Sequence, residues 1–327
     1  MAADNQLAVP HTGSKETQDP AIRRGNGRRI ARSFSLLRRL WPRYGIFYLM
    51  MIPVVTYFLT FSYYPLMRGL VISFQKFRVI GDRPFVGLDN YRTVLSDPDF
   101  GRMLVNTLMI GGGILVLGFA APLVVALSLN EVGRVWFKKL TQMIVYLPHL
   151  FSWIVVAGIW IFMLTPDGGL VNELREWFGL PPIHFLAEKN YSRAAMVLAA
   201  VWKDAGYTCI IYLAAIVGLN PALYEAARID GANRWQLVRH ITLPQLVPAM
   251  QVVLMLSVMG VLRIFDQIFA MRNPAIERYV DVLMIYTYEK GLVKFDMGVA
   301  NAAGCLVIAA TVLLTLAVRR LAGNGER

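Results

Sequence analysis

Six long apolar runs dominate this chain and leave few folds open to it. They lie near residues 45–67, 104–127, 140–164, 194–218, 246–270 and 296–318, and each is 23 to 25 residues long. An α-helix of about 20 such residues crosses the hydrocarbon core of a bilayer, so each run is long enough to span with some tilt. The fifth is the least uniform, because Arg263 and Asp266 interrupt its second half. Six buried, all-round apolar helices in a soluble protein would need far more amphipathic cover than this chain has. A transmembrane barrel would need alternating apolar and polar residues, which are absent here. The expected fold is therefore an all-α integral membrane protein with six transmembrane helices. Composition agrees: 17% of residues are charged, against about 25% in typical soluble domains.

Charge distribution gives an orientation. Six spans put both termini on one side. That side carries 18 Lys and Arg residues, and the other carries 13. The excess predicts that both termini lie in the cytoplasm. A cluster of arginines, Arg23, Arg24, Arg28, Arg29, Arg32, Arg38, Arg39 and Arg43, precedes the first span. Such a cluster gains roughly 1 kcal/mol per charge from anionic headgroups. Membrane lipid thus accounts for the net charge of +12, and nucleic acid is not expected as a partner. The expected organisation is a basic disordered tail over 1–44, a first helix and outer loop over 45–103, a core over 104–320 and a short cytoplasmic tail over 321–327. Cys209 and Cys305 fall inside spans and read as small apolar residues. No metal site is expected.

The loop between the fourth and fifth spans has a helical grammar of its own. Asn220 is a good N-cap and Pro221 suits the first helical position. Gly231 suits the left-handed residue that ends a helix. Asn233 can cap a second short helix, which Pro244 is expected to stop. Two short helices at an angle would make a compact cytoplasmic knob.

Glu225, Ala226, Ala227, then Asp230 and Gly231, then Ile241, Leu243 and Pro244 stand at the spacing of the EAA motif. On these residues the chain resembles the permease subunits of binding-protein-dependent, ATP-driven importers. Further stretches, 85–100, 146–150 and 265–274, resemble the carbohydrate type, and the subgroup for polysaccharide-derived oligosaccharides such as alginate fragments. The resemblance covers roughly residues 68–320. It implies a sugar or oligosaccharide permease whose loop couples to cytoplasmic ATPases. It also implies a second homologous permease, two ATP-binding subunits carrying ATP and Mg, and an extracytoplasmic solute-binding protein. The chain has no Gly-Lys dipeptide, so it lacks the loop that cradles nucleotide phosphates. ATP hydrolysis is expected on other chains, and no catalytic residue is expected here.

Ionisable residues inside a span are costly and tend to face a bundle interior or a wet path. Trp202, Asp204 and Tyr207 in the fourth span, Arg263 and Asp266 in the fifth, and Asn301 in the sixth are the candidates for a substrate path. Residues 263, 266 and 267 would share one face of a continuous fifth helix. The competing expectation is structural pairing, Lys203 with Asp266 or Arg263 with Asp204. His149, beside Pro148, reads as a packed histidine at a kink. A self-contained secondary transporter would leave the EAA spacing unexplained. A membrane enzyme would need an acid–base or metal constellation that the sequence does not display.

Overall fold

A computed structural model describes residues 45–78 and 80–323. The basic tail expected over 1–44 lies outside the described residues. The chain divides into two compact units, 1–67 and 68–327. The described part of the first is helical; its helix, α1, is Gly45–Ser73, whose last turns belong to the second unit.

The second unit is built from α2 (Asp89–Ser96), α3 (Pro98–Glu131), α4 (Val135–Tyr146), α5 (Trp153–Leu164), α6 (Leu170–Trp177), α7 (Lys189–Val217) and α8 (Pro221–Ile229). After these come α9 (Arg234–Val261), α10 (Asp266–Met271), α11 (Glu277–Val280), α12 (Leu283–Tyr288) and α13 (Met297–Gly323). Among the described residues five helices, α1, α3, α7, α9 and α13, are long and apolar enough to cross a membrane, and α4 with α5 makes a sixth, bent candidate.

The third span departs from the expected straight helix. Val135–Leu150 and Trp153–Leu164 meet at 105°. Pro148 lacks an N–H and sits in a tight 3-10 turn, Leu147–Leu150. Phe151 and Ser152 are then extended, and the Ser152 hydroxyl accepts the Val155 N–H to start α5. At the break Pro148 is buried, whereas Leu150, Phe151 and Ser152 are exposed.

The fifth span departs in two ways. It starts early: Pro244 does not stop the short helix but lies within α9. A π-turn at Val238–Thr242 precedes it, with the Leu243 N–H reaching back to the Val238 carbonyl. The wider turn absorbs the missing proline donor and the ring's bulk. It also ends early, at Val261, and Phe265 leaves helical geometry at φ −141°. Residues 263, 266 and 267 therefore do not share a face of one helix. At the other end of the chain α13 runs to Gly323, slightly past the predicted boundary at 321.

Close approach packs the bundle. A Cβ on Gly206 of α7 would lie 2.3 Å from the Val145 carbonyl oxygen of α4, and one on Gly111 of α3 would lie 2.7 Å from the Val261 side chain of α9. The far ends of α3 and α7 are joined by a polar clamp. The buried Asn106 amide donates to the Arg278 and Asp281 carbonyls at 3.2 and 3.0 Å, and its oxygen accepts from Arg193. Thr107 accepts the Leu283 N–H at 2.9 Å. These bonds satisfy backbone groups of the 278–283 loop that burial would otherwise strand.

Candidate functional site: an exposed elbow and a polar cavity

The loop between α7 and α9 forms as its sequence grammar predicts. The Asn220 side chain accepts the Ala222 N–H at 3.0 Å, with Pro221 next in line. At the other end of α8, the Ala232 N–H reaches the Ala227 carbonyl and the Gly231 N–H reaches the Arg228 carbonyl. This pair of bonds is the Schellman arrangement, and Gly231 takes the left-handed φ of +84° that it requires. Asn233 and Gln236 then exchange side-chain and backbone bonds at 2.8 and 2.9 Å, a full capping box that opens α9.

The two arms of the elbow are tied together. The Tyr224 hydroxyl meets the Thr242 hydroxyl at 2.9 Å, and Thr242 and Leu237 are buried. At 100° per residue, Ala222, Glu225, Ala226 and Ile229 share the side of α8 turned away from Tyr224. All four are exposed, and α8 has no buried residue. Ile229 is 87% exposed and Trp235 on α9 is 67% exposed. Large apolar side chains displayed on a short charged elbow form a surface suited to a protein partner. Of the remaining motif residues, Asp230 is the helix cap, Ile241 and Leu243 are half-buried, and Pro244 is exposed.

A second feature is a cavity of about 290 Å³ among α3, α7, α9 and the break that follows α9. Gly111 and Gly118 of α3 bound it, with Asp204 and Thr208 of α7, and Ser257 and Gly260 of α9. Arg263 from the break and Asp266 and Gln267 from the first turn of α10 complete its polar lining, and Trp153 from the start of α5 supplies an indole. The early end of α9 is what brings the three polar residues together: the break at 262–265 frees Arg263 from the helix and lets α10 restart in a new direction with Asp266 and Gln267 in its first turn. The Gln267 side-chain nitrogen is buried without a hydrogen-bond partner at the wall.

The sequence-derived path residues divide. Asp204, Arg263 and Asp266 line the cavity; Trp202, Tyr207 and Asn301 do not. Trp202 packs edge-on against Trp160. Tyr207 stacks on His149 at 4.9 Å between ring centres. Asn301 donates to the Met297 carbonyl one turn back and fills the space beside Gly69.

The expected pairs Lys203–Asp266 and Arg263–Asp204 do not form. Asp204 instead lies 3.0 Å from His149 Nδ1, and Lys203 Nζ, 3.8 Å from the same carboxylate oxygen, donates to the His149 carbonyl at 3.1 Å. The bend between α4 and α5 causes this change, since it brings residue 149 over α7 at the Gly206 contact. A carboxylate accepts only, so the bond fixes the proton on His149 Nδ1. Lys203 also sits 5.4 Å from the centre of the Trp153 ring. The 206 contact was not foreseen as part of the site, whereas Gln267 was marked by its clustering with Arg263 and Asp266 in an apolar run.

A polytopic helical bundle with an exposed two-helix elbow on one side and a polar cavity within is the architecture of a transport permease. Residues 114–323 match the family of binding-protein-dependent transport system inner membrane components, and the chain belongs to it. It is 35% identical to the polygalacturonan/rhamnogalacturonan transport system permease protein YteP of Bacillus subtilis, over 94% of this chain and 96% of that one. It is 34% identical to the arabinooligosaccharides transport system permease protein AraP of the same organism, over 85% and 88%. Among solved structures it is similar to a chain of a bacterial ABC transporter involved in the import of the acidic polysaccharide alginate. That match has a TM-score of 0.83 and 35% identity and covers 89% of this chain and 99% of the other. The chain is thus a multi-pass membrane permease subunit of the ABC type.

Proposed function

We propose that this chain forms half of the translocation path of an ATP-driven importer for an oligosaccharide of acidic sugars. The exposed elbow carries the reading. Its α8 face, with Glu225, Ala226 and the nearly bare Ile229, is offered to a groove on a cytoplasmic ATPase subunit, and the small alanines permit close approach. Asp230, Gly231, Ile241, Leu243 and Pro244 hold its angle. Two such ATPases carry ATP and Mg, a second homologous permease completes the path, and a solute-binding protein delivers cargo on the other side. Both termini then face the cytoplasm, with α8. Asp204, Arg263, Asp266 and Gln267 offer mixed donors and acceptors to sugar hydroxyls, and the Trp153 ring offers an apolar face. The acidic class is supported by the alginate importer's similarity and by the polygalacturonan relative.

The deciding experiment is purification of the tagged chain from membranes in mild detergent, with ATP hydrolysis assayed in the eluate. Ala226→Arg places a long charged side chain on the exposed face of α8. Wild type should bring down an ATP-hydrolysing chain, and Ala226→Arg should lose it at unchanged thermal stability. Equal recovery from both would remove the coupling role of α8. Solute uptake into vesicles by the purified chain alone, without ATP, would replace the reading with a secondary transporter.

A further inference from the structure

About 40 Å from the elbow, at the opposite ends of α3 and α7, lies a second and wider cavity of about 520 Å³. Its lining holds Arg102, Lys189, Arg193 and Arg278 with Asn106, Val105 and Tyr279, and no carboxylate. Two of the cations are partly engaged. Arg102 holds Asp99 at 3.0 Å, while its Nε is buried without a partner. Arg193 is fixed by the Tyr279 carbonyl at 2.9 Å and by the Asn106 oxygen. Lys189 and Arg278 are exposed and make no ion pair among the described residues. Four cations around one opening repel each other unless an anion joins them.

The pocket also has an apolar continuation. Arg102, Val105, Met109 and Val116 fall on one side of α3. Val105 is 50% exposed, Met109 56% and Val116 64%. The residues of α3 that line the polar cavity, Gly111, Ile114, Leu115 and Gly118, lie on roughly the opposite side of the helix at 100° per residue. The basic pocket is therefore turned away from the cavity assigned to cargo. It stands at the membrane end of a bare apolar stripe, with its cations where headgroups lie.

We propose that this pocket binds the phosphate of an anionic phospholipid, in the leaflet opposite the elbow, with an acyl chain along Val105, Met109 and Val116. Basic pockets between spans hold such headgroups by charge, and near-surface cations contribute to that attraction one by one.

Native mass spectrometry tests this on the full-length, delipidated protein offered phosphatidylglycerol or phosphatidylcholine. Wild type should retain phosphatidylglycerol preferentially. Lys189→Ala with Arg278→Ala removes two exposed side chains and should cut that preference on the order of tenfold at unchanged thermal stability. Arg92→Ala, an exposed cation on α2 outside the pocket, should cut it not at all. Val105→Asp should weaken retention with all four cations present, and millimolar inorganic phosphate should not displace the lipid. Equal retention of the two lipids by wild type overturns the proposal, as does a preference that survives the double substitution. Displacement by phosphate with Val105→Asp silent would make this a free-anion site instead. A Val105→Cys protein that cross-links to another subunit in the intact membrane would show protein covering the stripe, which also overturns it.

Discussion

The Tyr224 hydroxyl of α8 and the Thr242 hydroxyl of the π-turn in α9 meet at 2.9 Å. This bond links the arm that displays the motif to the arm that enters the membrane. A partly buried neutral hydrogen bond contributes about 0.5–1.5 kcal/mol net. Tyr224→Phe should cost roughly that much by thermal unfolding. It should also lower cargo-stimulated ATP hydrolysis more than basal hydrolysis, because the elbow loses rigidity while its outer face is intact. An unchanged stimulation ratio would show that the tie does not transmit motion.

Gly206 should tolerate no side chain. Its Cβ would meet the Val145 carbonyl oxygen at 2.3 Å and the Tyr146 Cα at 2.6 Å, both backbone atoms that cannot rotate away. Overpacking of this kind costs about 1–3 kcal/mol. Gly206→Ala should lower folded yield in membranes and separate His149 from Asp204. Gly112→Ala, whose Cβ would meet nothing within 4 Å, is the control and should behave as wild type.

Gln267 should separate stability from transport. Its side-chain nitrogen is buried without a partner, so Gln267→Leu removes a desolvated donor and should leave unfolding unchanged or shift it upward. If the donor serves cargo hydroxyls, uptake in vesicles should fall severalfold in the same variant. Unchanged uptake would take Gln267 out of the path.

The loop on the side opposite the elbow should respond to mild acid. Burial is the largest influence on Asp281 and pushes its pKa up from 3.8 to about 6; Arg272, 3.2 Å away, opposes the shift, and Glu289 adds to it. Between these values the folded chain holds a proton that the unfolded chain has released. The contribution of Asp281 to stability is therefore greatest near pH 4 and is lost as pH rises through 6, by roughly 1–3 kcal/mol. Asp97 acts in the opposite sense. Burial would raise it, but the Lys290 ammonium at 2.8 Å, the Asp99 N–H and the Tyr286 hydroxyl together hold it below its ordinary value. Its contribution is lost only as pH falls below the usual carboxylate range. Asp281→Asn should flatten unfolding between pH 4 and 6 and leave the acid limb in place.

Six spans, the two-helix elbow and the family resemblance were all legible in the residues. Run length against bilayer thickness decides the first. The second rests on local chemistry: Asn220, Pro221, Gly231 and Asn233 act on backbone groups within a few residues of themselves. Such signals need no distant partner, so they survive being read in one dimension.

Tertiary structure alone decided the bend between α4 and α5, the end of α9 at Val261 and the membership of the polar cavity. Pro148 marks a disturbance, but its 105° outcome depends on what Gly206 lets α4 approach. Arg263 and Asp266 advertise a cost in an apolar run. Whether they pair, stay on a helix or unwind toward a cavity depends on the space left by Gly111 and Gly260 of other turns. The hydrogen-bond partner of Asp204 lies 55 residues away in the chain, at His149, and no periodicity within α7 encodes it. Helix formation is set by near neighbours and by the solvent around the chain, whereas pairing of buried polar groups is set by which surfaces the packed helices bring within hydrogen-bond reach.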